Sequence, residues 1–266
     1  MSDQYLILPR LSVQAANAYQ CPLFLSACPV SAAVLFAHAL ARGIGAEESP
    51  RGVAYLHHDA QHLGEYDQYG NFVPQQRRGA SFIDKDDYAG GAATPSLSLQ
   101  PTASVHLSVS LVIAFDEDEE LDTAAVERFL SGARFAGGSV TTFGQPKRFD
   151  SIEEASKRLP NGFWVVDRID LLAQPDKAPH VTLLELLMQR SADIPWLTPI
   201  VAGYRALTAA EHKEGGRFGY AHAYGEPLIG LAQFQSSTQR RAANAAVPFW
   251  SLRWTDDVTC LIQQTQ

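Results

Sequence analysis

The chain has 266 residues, of which 46% are hydrophobic, and its formal net charge is −8 at pH 7. Such a length supports one large hydrophobic core or two small ones, and the negative charge argues against binding of free nucleic acid by bulk electrostatics. Residues 1–133 hold 7 Lys and Arg against 16 Asp and Glu, whereas residues 134–266 hold 14 against 13. Basic groups therefore concentrate in the second half. This division fits a protein that binds RNA on one side and basic proteins on another, although an enzyme with a solvated acidic surface fits it equally well.

The cysteines and the N-terminal segment indicate the compartment. Cys21, Cys28 and Cys260 are an odd number without a CxxC pair, which predicts free thiols in a reducing cytosol. The opening MSDQYLILPRL is neither a signal peptide nor a membrane span. We therefore expect a cytoplasmic protein with no membrane partner.

The first half of the chain predicts two strands, a helix and a long arm. The apolar run at 4–9 predicts a strand that leaves into a loop near Asn17. Pro29–Leu40 is rich in Ala and Leu and predicts a buried helix that stops at Gly43. A strand follows at 52–58, and the polar, glycine-rich segment at about 61–103 predicts an inserted arm or loop.

The second half continues the alternation of strands and helices. Ala103–Phe115 alternates polar and apolar residues, which predicts a strand. The next apolar residues recur at helical spacing behind Asp122 or Thr123 as the cap and end near Gly132. Further elements are predicted as a helix at 153–159, a strand at 162–166, a helix around 183–187 and a strand at 196–207. This order predicts an α+β fold related to the ferredoxin-like βαββαβ pattern with insertions.

Short segments spread along most of the chain carry a family resemblance. They are Ile7–Leu11, Val13-Gln14, Ala16–Ala18, Pro22-Leu23, Phe36–Leu40, Gly52-Val53, His57–Gln61, Val109–Val112, Ala136–Ser139, Gly162–Arg168, Asp170–Leu172, Trp196-Leu197, Pro199-Ile200, Gly203-Tyr204, Ala206 and Val247–Phe249. In this order they resemble the Csy-two proteins, the Cas-five subunit of type I-F CRISPR surveillance complexes. The chain is shorter than a typical member and does not follow the family between Gln61 and Pro101, which points to a variant system.

The resemblance implies a structural, non-catalytic RNA-binding subunit without a cofactor. Residues 1–266 would form a single domain with a modified RNA-recognition-motif fold of the CRISPR RAMP type, carrying the arm at about 61–103. This domain would hold the five-prime handle of the crRNA together with a large subunit. Cas-seven-type backbone subunits would continue along the spacer, target DNA would be reached through the complex, and a separate endonuclease would process the guide.

Two groups of residues in the first 138 positions are RNA-binding candidates. Gly137 and Gly138 precede a basic segment, and glycine lets a backbone approach phosphates and donate N–H groups, although an ordinary tight turn explains the pair as well. Arg10, Gln14 and Asn17 follow the first strand and offer donors to phosphates and base edges. A capping or turn role is the alternative for Asn17.

The remaining RNA-binding candidates are basic. Lys147, Arg148 and Arg158 in the middle and Arg240 and Arg241 near the end fit a groove for RNA. Each of them taken alone is more often a solvated surface charge.

The histidines raise the question of catalysis. His57, His58, Asp59 and His62 resemble a metal site or a general base, but neighbouring residues on a strand point to opposite faces, so we expect no metal. His38 on the Ala-rich helix is expected to be a core histidine. Three alternatives stay open: an endoribonuclease of the Cas-five kind, a small-molecule enzyme that uses the histidine cluster with a metal, and a variant subunit that also reads the protospacer-adjacent motif in DNA through the arm.

Overall fold

The computed structural model describes residues 3–74, 76–81, 98–189, 193–212, 214 and 219–264. Within these ranges the strands are β1 (Asp3–Asn17), β2 (Gly52–His62), β3 (Gly64–Tyr66), β4 (Phe72–Pro74), β5 (Gln76–Ser81), β6 (Ser98–Asp116), β7 (Arg134–Phe135), β8 (Gly138–Thr142), β9 (Lys147–Phe149), β10 (Phe163–Asp167), β11 (Leu197–Ala206), β12 (Glu211–His212), β13 (Ala221–His222), β14 (Gly225–Ser236), β15 (Phe249–Trp254) and β16 (Thr259–Gln264). The helices are α1 (Val30–Ile44), α2 (Thr123–Ser131), α3 (Ile152–Arg158), α4 (Pro179–Gln189) and α5 (Ser237–Ala242), with a 3-10 turn at Ile169–Leu172. The protein is a mixed α+β structure in which strands predominate.

The first half forms a sheet in the order β2-β6-β1-β8, with α1 between β1 and β2 and α2 after β6. Both β1 and β2 are antiparallel to the central strand β6. The outer edge of β1 is shared, because β9 pairs with its first half and β8 with its second half. Two short strands therefore cover the edge of β1 that faces away from β6.

The second half closes a ring of strands on β2. One edge of β2 pairs with β15 at Val53 and Ala54 and with β10 at Leu56 and His57. From β10 the pairing continues through β14, β11 and β16 back to β15. Every pair in this ring is antiparallel. The ring anchors the start of β10 beside the middle of β2.

The two faces of the first sheet are covered to different extents. Strand residues such as Leu6, Leu8 and Leu111 pack with Phe36 and Leu40 of α1 in the larger core. On the opposite face a smaller core joins residues of β1, β2 and β6 to α3 and β10; its members are Ile7, Ala54, Leu56, Val112, Ala155, Leu159 and Trp164. Full burial of one such side chain stabilises the fold by about 1.5 to 3 kcal/mol. The small core covers only one end of that face, and the rest of the face is open.

Helix α1 confirms the predicted helix but not its end. The predicted stop at Gly43 is wrong, because the helix continues to Ile44 and Gly45 caps it at φ +78° with an N–H bond to Arg42. Gly43 has a packing role instead, since a Cβ atom there would collide with the Phe129 ring of α2. The glycine allows the two helices to approach each other closely.

The first strand is longer than the predicted 4–9, and the chain leaves it at Asn17, where the loop was expected. β1 continues to Asn17 across two register shifts, where Arg10 (φ 51°) and Ala15 (φ 55°) adopt left-handed backbone conformations. The predicted elements from 103 to 207 are confirmed as β6, α2, α3, β10, α4 and β11. The sequence patterns missed β7, β8 and β9 and the three strands of the ring that follow β11, namely β14, β15 and β16.

The segment at 61–103, predicted as an arm, contains strand structure at both ends. β2 runs through His62, β3 and β4 form a small hairpin, and β5 pairs with the beginning of β6. Residues 82–97 of the predicted arm lie outside the described residues. The division into a single domain with an inserted arm stays a prediction.

Candidate nucleic-acid interface

The open part of the first sheet is a shallow groove of about 360 Å³, lined by seven polar residues and by Val13 and Leu107. Register fixes its composition, because residues directly opposite each other on paired strands point to the same face. Asp59 lies opposite Ser108, and Gln61 lies opposite His106. The groove is completed by Ser12, Gln14 and Thr141, and Gln14 and Thr141 are exposed. Hydroxyl, amide, imidazole and carboxylate groups thus share one surface that can hydrogen-bond to base edges and sugars.

His106 has a defined hydrogen-bonding role in this groove. The backbone N–H of Ala15 donates to His106 Nδ1 over 3.1 Å. A nitrogen that accepts a hydrogen bond carries no proton, so the neutral ring holds its proton on Nε2. Because the N–H of Ala15 in the bulge donates to Nδ1, the neutral His106 ring donates from Nε2.

The glycine hairpin lies next to Gln14. Ala136 (φ 47°) and Gly137 (φ 80°) form the two-residue turn between β7 and β8, which is the conformation of a type I′ hairpin. A Cβ atom on Gly138 would lie 2.6 Å from the Gln14 carbonyl oxygen and from Ala16 N. Gly138 is therefore required by its close approach to β1, and the tight turn proposed as the alternative is present.

Asn17 lies beside the same turn, but its side chain is engaged in local structure. Its Oδ1 accepts from Tyr19 N over 2.9 Å, and its Nδ2 donates to the Tyr19 carbonyl over 3.1 Å. The Asn17 backbone N–H donates to Ala136 O over 2.8 Å. The turn role is thus the observed one, and the structure brings Gln14, Asn17, Gly137 and Gly138 together.

Arg10 lies at the other end of the open face, at the first bulge of β1. Its side chain is exposed, while its backbone N–H donates to Ser110 Oγ over 2.9 Å. The bulge turns Arg10 toward His58, and burial together with the charge of Arg10 lowers the pKa of His58 to about 4. Arg10 is the one Lys or Arg of β1.

Lys147 and Arg158 share a second groove, of about 310 Å³, that begins at Pro9 and Ile7. Both side chains are exposed. Arg148 is the next residue on β9 and does not line this groove; it forms an ion pair with Asp150 over 3.4 Å. The structure therefore gathers two of the three predicted central cations and separates the third.

The two C-terminal arginines diverge. Arg240 donates to Gln235 Oε1 over 2.5 Å and to the Ala246 carbonyl over 2.6 Å, and burial lowers its pKa. Arg241 is exposed and donates to Ser156 O of α3 over 3.3 Å. They line different cavities, and neither lines the sheet groove.

The histidine cluster does not converge. His57 packs its ring against Tyr55 and Phe234, whereas His58 bonds to Ser110 on the opposite face of β2. Over the part of the chain that the structure describes, no three His, Cys, Asp or Glu side chains are placed to hold a metal ion. The described helices include none that is long and apolar enough to cross a membrane.

Sequence reasoning missed most of the groove. Ser12, Gln61, His106, Ser108 and Thr141 were not candidates, although His106 and Ser108 are polar positions of the alternation that predicted β6. That alternation indicates a half-open face, and polar residues on it could have been proposed. The partners on β1, β2 and β8 depend on register and have no local signal.

Comparison with known proteins identifies the family. The family model described as CRISPR-associated protein (Cas_Csy2) matches residues 6–193, which include β1 from Leu6 onward, the open face of the sheet, the glycine hairpin and the Lys147 and Arg158 groove. The C-terminal segments of resemblance at Trp196–Ala206 and Val247–Phe249 lie beyond the matched region. No curated protein matches the chain. This chain belongs to the Cas_Csy2 family of CRISPR-associated proteins and is a subunit of a Csy complex.

Proposed function

We propose that this protein is a non-catalytic subunit of a type I-F Csy complex and that it binds the five-prime handle of the crRNA. The observation that carries the proposal is the open, polar half of the β2-β6-β1-β8 sheet. Arg10 lies at one end of this face and the glycine hairpin at the other. Single-stranded RNA is commonly recognised on such a sheet, where hydroxyl, amide and imidazole groups meet base edges and cations meet phosphates.

The strand order supports a fold of the RNA-recognition-motif type. β1, α1, β2, β6, α2 and β8 follow one another in the βαββαβ pattern, and β6 lies between β1 and β2. Both helices pack on one face, and the opposite face remains partly open. We propose that this unit is the RAMP-type core, with the ring of β10 to β16 added to the edge of β2.

An acidic cavity at the ends of α1 and β6 supports binding to basic partner subunits. Glu47, Glu48, Asp116, Asp118, Glu119 and Glu120 line one cavity at the end of α1 and β6. Glu119 is held there by hydrogen bonds from Glu47 N and Glu48 N over about 3.1 Å. In our proposal the large subunit and the Cas-seven-type backbone subunits use acidic and apolar surfaces of this kind, and target DNA is reached through the complex.

The environment of His58 supports a non-catalytic role. Its Nδ1 lies 3.1 Å from the Asn161 carbonyl, which can only accept, so the neutral ring donates from Nδ1 and accepts from Ser110 through Nε2. Ser110 is fully buried. A general base needs an exposed lone pair within reach of the substrate, and both nitrogens of His58 are already paired.

The test is purification of the complex through a tag on this chain, followed by sequencing of the copurified RNA. We expect short guide RNA of uniform five-prime end. His57→Ala combined with His58→Ala should leave its length and abundance per complex unchanged, with protein level measured beside it. Accumulation of uncut precursor in an intact complex would establish the endoribonuclease alternative. Complex without guide RNA would contradict handle binding.

A further inference from the structure

A cavity of about 570 Å³ lies between β10, β14 and α5 in the second half of the chain. Phe163 and Trp196 line it, with ring centroids 6.5 Å apart and an interplanar angle of 37°. Trp196 is 70% exposed and Phe163 is 40% exposed. Tryptophan is highly buried on average, so an indole presented to solvent at a cavity needs a reason.

The backbone at Trp196 shows that this exposure is imposed by the fold. Trp196 has φ +64°, a left-handed backbone conformation that is strained for a residue with a side chain. The conformation is held by the Phe234 N–H, which donates to Trp196 O over 3.0 Å. A second bond joins Gln233 Nε2 to Pro195 O over 2.9 Å. The neighbouring strand β14 therefore fixes the indole at the mouth of the cavity.

The polar groups of the cavity are fixed in orientation. Gln233 Oε1 accepts from Arg168 Nη1 over 2.7 Å and from Gln235 Nε2 over 2.9 Å. Gln235 Oε1 in turn accepts from Arg240 Nη1. These hydrogen bonds determine which atom of the Gln233 and Gln235 amides donates and which accepts. Side chains that are already ordered lose less conformational entropy when a ligand binds.

We propose that this cavity binds one unstacked nucleobase of single-stranded RNA, with the base stacked on Trp196 and its edge toward the amides of Gln235 and Gln239. The inference rests on the proposed function and adds a base-binding subsite that is separate from the open sheet face. Aromatic rings beside amide and guanidinium groups are the chemistry that recognises unpaired bases, because every base has a π face and a hydrogen-bonding edge. Arg240 supplies a cation at the same cavity.

The direct test uses tryptophan fluorescence. The chain has four tryptophans, of which Trp164 and Trp250 are buried and Trp196 and Trp254 are exposed. Trp254→Phe therefore leaves Trp196 as the exposed fluorophore in the full-length protein. We expect an oligoadenylate of about eight nucleotides to quench its emission, and an abasic strand of the same length to leave it unchanged. Equal quenching by both strands would show contact with the backbone alone and would overturn the base pocket.

Affinity for the same oligoadenylate gives the second measurement. Trp196→Ala should weaken binding about 5- to 100-fold, and Trp196→Phe should restore most of it, because phenylalanine keeps a stacking surface. Trp254→Ala is the matched control, since that indole is 61% exposed and lies on β15 outside the cavity. Circular dichroism and thermal melting verify that each variant is folded.

The outcomes separate this inference from the proposed function. A wild-type complex that retains guide RNA, with the affinity of Trp196→Ala unchanged, would overturn the pocket and leave handle binding intact. Wild-type protein that retains no RNA in its complex would contradict the proposed function itself. Loss of another subunit from the Trp196→Ala complex, with oligoadenylate affinity unchanged, would make the cavity a protein-docking site and would also overturn the base pocket.

Discussion

The Nε2 atom of His58 lies 2.7 Å from the Oγ atom of Ser110, and this contact joins β2 to β6 under the first bulge of β1. Ser110 also accepts the N–H of Arg10 over 2.9 Å, and His58 reaches the Asn161 carbonyl with its other nitrogen. One buried hydroxyl therefore connects three strands and the segment that leads into β10. The same hydroxyl holds the backbone of Arg10 at the bulge.

Ser110→Ala should destabilise the protein, because it leaves both the Arg10 N–H and the His58 Nε2 without their partner. Loss of a buried hydrogen-bond partner costs about 1 to 3 kcal/mol. Urea denaturation measures the change in the free energy of unfolding. Ser108→Ala on the same strand is the matched control and should change it by less than about 0.5 kcal/mol, since Ser108 lines the open groove. Equal effects of the two variants would contradict the structural role of Ser110.

Stability should fall when the pH falls from 6.5 toward 4. Burial is the main cause that lowers the pKa of both His57 and His58 from 6.5 to about 4. The charge of His58 lowers the pKa of His57 further, and Asp59 partly offsets this effect. The charge of Arg10 lowers the pKa of His58 further. Between these values the unfolded chain binds protons that the folded chain does not, so stability is full above pH 6.5 and decreases below it.

Each of these histidines contributes at most about 1.4 kcal/mol per pH unit, and less where solvent screens it. Urea midpoints at pH 7, 6 and 5 measure the slope. His58→Gln should flatten the slope, because glutamine does not titrate. An unchanged slope in His58→Gln would refute the assignment.

Gly138→Ala should displace the glycine hairpin from β1. The new methyl group would lie 2.6 Å from two backbone atoms of β1, and backbone cannot move away as a flexible side chain can. We expect a loss of about 1 to 3 kcal/mol in the free energy of unfolding and faster amide exchange in β7 and β8. Gly132→Ala is the matched control, since nothing lies within 4 Å of a Cβ atom there. Wild-type exchange rates in Gly138→Ala would show that the approach is not tight.

Lys147→Ala combined with Arg158→Ala should weaken guide RNA retention and reduce its dependence on salt. Each lost phosphate contact lowers the slope of log affinity against log salt concentration by about 0.7 to 0.9. Arg148→Ala is the matched control, because Arg148 points away from the groove and pairs with Asp150. Filter binding at several salt concentrations measures both quantities. A larger effect of Arg148→Ala than of the double variant would move the RNA path to the other side of β9.

The sequence predicted those helices and strands whose ends are set by residues a few positions away in the chain. The alternation from Ala103 to Phe115 predicted β6, and Asp122 was among the predicted caps of α2, where its Oδ1 accepts from Ala124 N over 2.8 Å. The close fit of Gly138 against β1 was not visible in the sequence, although the glycine pair itself drew attention to the site.

The sequence by itself determined which residues can form strands, helices and caps, because propensity, periodicity and capping act over a few neighbouring positions. The tertiary structure determined which of these residues meet at the site. Bulges held by long-range bonds carry β1 past Arg10, and strand register gathers Gln14, Gln61 and His106 from three strands. These outcomes depend on pairings between distant positions, and a single sequence carries no local signal for the partner that a strand or a donor will meet.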